Sequence, residues 1–180
     1  MVPDRGTPAV TSVERTTRGG ATMTSIKEAA DTFLESRRIA VTGVSRTPES
    51  HGANVVYRRL REVGYEVFAV NPNADTVEGD RAYKTLAAIP GGVDAVVVAT
   101  RPEHAQATVQ EAIDLGVHQV WMHRSVDRGS VDDEATRLGR EHGLTVIDGG
   151  CPLMYGRASD RAHRVMCRFM TLTRRVPRQV

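Results

Sequence analysis

Apolar residues along this chain gather in short β-branched runs, separated by longer stretches in which they recur at helical spacing. Runs over 38–42, 66–70, 95–99, 119–122 and 144–147 predict five strands, bounded mostly by Gly, Pro or Asn. The run 95–99 is apolar at every position, as expected of a central parallel strand covered by helices on both faces. Helices are predicted over 53–63, ended by Gly64, and over 131–142, ended by Gly143. A third starts at Pro102 and carries Ala105, Val109, Ala112 and Ile113 as its apolar stripe before Gly116 ends it. Upstream, Ser25 and Glu28 have the spacing of a capping box opening a helix through Glu35. Residues 79–83 suggest a short extra strand or turn, and 86–89 a single helical turn before Pro90.

Strands alternating with helices imply an α/β domain with a mainly parallel, doubly wound sheet of Rossmann-like type and right-handed connections. One domain is expected over 23–172, with a disordered tail over 1–22 and a basic tail over 173–180; Met23 is an alternative start to Met1. A terminal helix over 159–172 places Ala162, Val165, Met166, Phe169 and Met170 on one face, a stripe suited to core packing or to a homodimer contact.

Charge and composition narrow the function classes. The net charge of +2 divides unevenly: residues 157–180 carry seven Arg against Asp160, and 23–156 are net negative. That basic end suits nucleic acid or ligand phosphates in principle, but Arg is the usual cation throughout, with only Lys27 and Lys84 as lysines, so it reads as a solvated helix face. Cys151 and Cys167 are too few for a disulfide framework and fit a cytoplasmic protein. No apolar run reaches membrane-spanning length. The six histidines lack metal-ligand spacing, and no Gly-x-Ser-x-Gly elbow surrounds Ser45. Trp121 reads as a core aromatic and Cys151 as a small buried hydrophobe.

Ligands of open α/β sheets lie at the carboxyl ends of the strands, near the point where strand order reverses. Those ends carry Gly43, Val44, Ser45 and Arg46; Val70, Asn71, Pro72 and Asn73; Thr100, Arg101 and Pro102; Met122, His123 and Arg124; and Asp148, Gly149, Gly150 and Cys151. The set is small, polar and basic, without a carboxylate cluster, and suits an anionic, nucleotide-like ligand. The dinucleotide fingerprint Gly-x-Gly-x-x-Gly is absent, and Asn71 stands where an acid would hold the ribose of NAD. NADP could use Arg46, but no hydride-transfer machinery accompanies it.

The strings Ile39 to Arg46 and Gly64 to Pro72, followed by Gly79 to Tyr83, Leu86 to Pro90, Val93 with Asp94, Glu111 to Gly116, and Val120 with Trp121, resemble the stand-alone bacterial CoA-binding proteins. Their domain is similar to the amino-terminal CoA-binding domain of the succinyl-CoA synthetase alpha subunit. The resemblance implies that Gly43, Val44, Ser45 and Arg46 receive the phosphates of coenzyme A. It puts Val70, Asn71, Pro72 and Asn73 beside the adenosine, and Thr100, Arg101 and Pro102 along the pantetheine arm. Ser45 would offer a hydroxyl and a backbone N–H, and Arg46 a forked cation. His123 replaces an amide found after the tryptophan strand in relatives, so the thiol end would be lined differently. The chain is too short for the synthetase's phosphohistidine domain or ATP-grasp partner, so ligase activity is not carried over. Three functions remain open at this point: non-catalytic binding of CoA or an acyl-CoA, an NADP-linked reductase, and a regulatory protein acting through the basic terminal helix.

Overall fold

A computed structural model describes residues 24–47, 52–124, 129–159, 165 and 180. It contains α1 (Ile26–Glu35), β1 (Arg38–Thr42), α2 (Gly52–Glu62), β2 (Glu66–Val70), β3 (Thr76–Val77), β4 (Asp80–Tyr83), β5 (Ala95–Val98), α3 (Ala105–Asp114), β6 (Gln119–Met122), α4 (Asp133–Glu141) and β7 (Thr145–Asp148). The sheet order is β3-β4-β2-β1-β5-β6-β7. Every pairing is parallel except β3 with β4. The expected α/β, doubly wound architecture is present.

The pleat sorts each strand's residues onto two cores. Ala95 and Val97 of β5, with Ile39, Val41, Trp121 and Ile147, pack under α1 and α2. Val96 and Val98, with Ala40, Val120 and Val146, pack under α3 and α4. All four β5 residues are fully buried, which is why that run shows no alternation in sequence. Trp121 is sealed edge-on against Phe33, with ring centroids 5.3 Å apart, and its Nε1 donates to Gly149 O at 2.9 Å. Burying a large side chain of this kind stabilises the fold by about 1.5–3 kcal/mol.

The helix ends follow their local chemistry. Ser25 Oγ accepts from the Glu28 N–H at 3.3 Å to open α1, and Asp132 accepts from the Ala135 N–H at 2.8 Å to open α4. After α3 the Gly116 N–H donates to Ile113 O and the Val117 N–H to Ala112 O, so the left-handed glycine turns the chain toward β6.

The extra strand or turn expected over 79–83 is present as β4, and three other details differ from expectation. The segment 79–83 is the second arm of a hairpin whose first arm, β3, is too short to show a period. Residues 86–89 form one turn, with the Ile89 N–H donating to Leu86 O, and no helix. Pro102–His104 is a 3-10 turn ahead of α3, since proline supplies the initial φ but no N–H. Helix α4 begins at Asp133, where Asp132 caps it.

The tail expected over 1–22, the terminal helix over 159–172 and the tail over 173–180 lie outside the described residues, save Ser159, Val165 and Val180. Val165 is helical and 70% exposed. Val180 forms a two-bond bridge with Thr24, at 3.1 and 3.0 Å. Among the described residues no helix is long and apolar enough to cross a membrane.

Candidate functional site

Strand order reverses at β1, which lies between β2 and β5. The chain leaves β1 toward β2 on one side and returns as β5 on the other, so the loops after β1 and β5 diverge and open a crevice at their carboxyl ends. Gly43 forms its floor. Its φ is +77°, its N–H donates to Val70 O at 3.1 Å, and a Cβ built there would lie 2.5 Å from Ala99 O. Only glycine lets the first loop pass so close to the end of β5. Thr42 Oγ1 accepts from the Ala99 N–H at 3.1 Å, so β1 and β5 are tied at the same level.

The rest of the first loop is held from outside the crevice. Val44 is fully buried, and only its carbonyl serves the site, accepting from Asn71 Nδ2 at 2.8 Å. The Ser45 N–H, read from sequence as a free donor, is engaged by Asn54 Oδ1 at 2.8 Å, while Asn54 Nδ2 donates to Ser45 O at 2.8 Å. Ser45 Oγ accepts from the Thr47 N–H at 3.1 Å and lies 3.1 Å from the Thr47 hydroxyl. Arg46 is exposed and makes no ion pair among the described residues. Helix α2 opens at exposed Gly52, and Asn54 in its first turn joins it to this loop through Ser45.

Asn71 proves to be a brace. Its N–H donates to Tyr83 O at 2.9 Å, its Oδ1 accepts from the Asn73 N–H at 2.8 Å, and its Nδ2 holds Val44. Both ends of the amide are therefore committed to linking the second strand's loop to the first. Val70 is buried, while Pro72 and Asn73 are exposed beside the brace.

After β5, Thr100 Oγ1 is buried without a hydrogen-bond partner among the described residues, and Thr100 O accepts from Ser130 Oγ at 2.5 Å. Arg101 is 83% exposed and only loosely paired with Glu103 at 3.8 Å; Pro102 follows and starts the 3-10 turn. His123 follows β6 and reaches the opposite wall: a Cβ on Gly52 would sit 3.1 Å from its Cε1. Its backbone N–H donates to Val98 O at 2.8 Å, and its carbonyl accepts from the Ser130 N–H at 2.9 Å. The structure thus gathers the loops after β1, β5 and β6 around the start of α2, with the β2 loop braced alongside.

Cys151 is 5% exposed among Trp121, Leu153 and Met154, and burial pushes its thiol up to about 12. It belongs to the core. Among the described residues no three His, Cys, Asp or Glu are grouped to hold a metal ion.

Sequence reasoning missed Gly52, Asn54 and Glu78. Asn54 is fully buried in the first turn of α2, and its Nδ2 also donates to Glu78 Oε1 at 2.6 Å. A polar amide between Ala53 and Val55, one turn before Tyr57 on the buried side of the helix, was the available signal.

Comparison with known proteins shows the family of the fold that carries this crevice. A family model described as a CoA binding domain matches residues 37–157. The uncharacterized protein YneT of Bacillus subtilis is 32% identical over 124 residues, covering 69% of this chain and 88% of that protein. The alpha subunit of an ADP-forming acetate–CoA ligase II from Pyrococcus furiosus is 29% identical over 128 residues, covering 67% of this chain; the match spans only 28% of the subunit. A solved structure of a hypothetical protein from Pyrococcus horikoshii superposes with a TM-score of 0.65 at 27% identity, covering 77% of this chain and 89% of that one. The matched segment runs from the residue before β1 past β7 and contains the whole crevice. The chain belongs to the CoA-binding domain family.

Proposed function

We propose that this protein binds coenzyme A or an acyl-CoA in the switch-point crevice and performs no chemistry on it. The observation that carries the reading is the composition of the crevice mouth. The start of α2, exposed Arg46 and the Ser45–Thr47 hydroxyl pair stand together at the reversal of strand order. Helix N–H groups and a guanidinium suit a diphosphate, and the Glu78 carboxylate, linked to the loop through Asn54, is already paired with Asn54 and Arg58. Pro72 and Asn73 supply an exposed shelf for the adenosine. In this reading the Thr100 hydroxyl, buried and unpartnered among the described residues, would line the pantetheine arm together with Arg101, Pro102 and His123. The residues present fit this ligand: they provide donors and cations for its phosphates, and Asn71 stands after the second strand where an acid would hold a ribose diol.

A thermal-shift titration tests the reading. Saturating CoA should raise the melting temperature, because a ligand that binds only the folded state stabilises it by about 2.7 kcal/mol at a hundred times Kd. NADPH should neither match that shift nor compete with it. Arg46→Ala should weaken CoA and leave pantetheine, which has no diphosphate, unaffected. A Tm that CoA does not move at millimolar concentration would overturn the assignment.

A further inference from the structure

The β3–β4 hairpin occupies the place where a doubly wound sheet usually carries a helix, and its turn is strained. Val77 pairs with Asp80, leaving Glu78 and Gly79 as a two-residue turn with φ of +50° and +81°. Positive φ at both positions is the hairpin type that favours Asn, Asp or Gly first. Glu78 is the one non-glycine residue with positive φ among those described. A strained residue that persists is held by its surroundings, and here the holding contacts point at the crevice.

The Glu78 carboxylate has a side chain only 10% exposed. It accepts from Asn54 Nδ2 at 2.6 Å and from Arg58 at 2.9 Å. Asn54 turns the same amide to Ser45, accepting from its N–H and donating to its carbonyl, both at 2.8 Å. Because Nδ2 must face the carboxylate, Oδ1 is left to face the Ser45 N–H. The Ser45 N–H and carbonyl demand the same orientation, so Glu78 reinforces it and anchors the amide from the hairpin side. The hairpin itself is anchored to α2 independently, through the Tyr57 hydroxyl donating to Asp80 at 2.8 Å and an ion pair of Arg61 with Asp80. A rigid path runs from α2 to the hairpin, from Glu78 to Asn54, and from Asn54 to the loop carrying Arg46.

We infer that Glu78 and Asn54 are positioning residues that clamp the loop after β1 in its ligand-receiving shape, and that the left-handed Glu78 is retained for this purpose at the expense of turn stability. The inference builds on the reading of the crevice as a CoA site. Neither residue touches the ligand; both act through the backbone of Ser45.

Two variants separate this from a purely structural role. Glu78→Asn relieves the turn and withdraws the long acceptor, whereas Glu78→Gln keeps an Oε1 for Asn54 at the same reach. The intact protein is used for all readouts. Glu78→Asn should show an equal or higher melting temperature, roughly tenfold weaker CoA binding by calorimetry, and roughly tenfold faster exchange of the Ser45 amide in the ligand-free protein. Glu78→Gln should restore Ser45 protection and most of the affinity. Unchanged Ser45 exchange in Glu78→Asn would overturn the clamp, as would a lowered melting temperature with exchange accelerated evenly throughout the protein. If the wild type binds no CoA, the ligand assignment falls, and the ligand-free exchange arm alone decides the clamp.

Discussion

Replacing Gly43 by alanine tests the geometry of the crevice floor directly. At φ +77° an alanine is left-handed, which costs about 1–2 kcal/mol. Its Cβ would also fall 2.5 Å from Ala99 O and 2.8 Å from Ala99 C, both backbone atoms of the central strand's end. Relieving that contact means moving the loop or β5 by several tenths of an ångström within a packed core, an overpacking that costs about 1–3 kcal/mol. The sum is about 2–5 kcal/mol, of which the backbone conformation supplies about 1–2 kcal/mol. Gly116→Ala is the control, since its φ is +69° and a Cβ there meets nothing within 4 Å. It should lose only the conformational part, about 1–2 kcal/mol. Urea unfolding followed by the fluorescence of Trp121, the single tryptophan, reads both variants. Equal destabilisation of the two would refute the close approach of loop and strand. A Gly43→Ala protein that still folds should also bind CoA more weakly, because the loop it displaces carries Arg46.

Two buried groups make the alkaline limb of stability informative. Burial, and then the hydrogen bond to Asp80, raise the ionisation of Tyr57 well above the usual phenol range. The neutral phenol's contribution is complete below the ordinary tyrosine value and fades as pH rises through the folded one; Tyr57→Phe should flatten that limb and cost about 1–3 kcal/mol at neutral pH, read by urea titration at stepped pH. Cys151, raised from 9.0 to about 12, follows the same sign, its contribution lost as pH climbs from about 9 toward 12. Three pH units remove about a thousandfold of its thiolate, so in a Cys167→Ser background native protein at pH 8 should resist iodoacetamide and react promptly once unfolded. Rapid native alkylation would place the thiol outside the core.

Strands were legible wherever a run of β-branched residues met a breaker. β1, β2 and β6 lie where their apolar runs do; β1 and β6 are buried on both faces past their first residue, and β2 is buried at Ala69 and Val70. Glycine at 64, 116 and 143 marked three helix ends for an equally local reason. The location of the crevice was legible too, since it follows from strand order. Its internal wiring was not. Ser45 looked like a free donor because its partner, Asn54, is nine residues away on the next helix, and Asn71 looked like a generic strand terminator although both ends of its amide are engaged. Glu78 was invisible as a functional residue: its carboxylate reaches Asn54 across 24 residues, and β3 is two residues long. Contacts made by single side chains between distant segments leave no periodicity to read.

Native mass spectrometry of the purified protein with and without added CoA tests the central claim most directly. The account predicts a single adduct of one CoA per chain that NADPH does not displace and that Arg46→Ala weakens. A spectrum without a CoA adduct at saturating ligand, or with an NADPH adduct in its place, would contradict it.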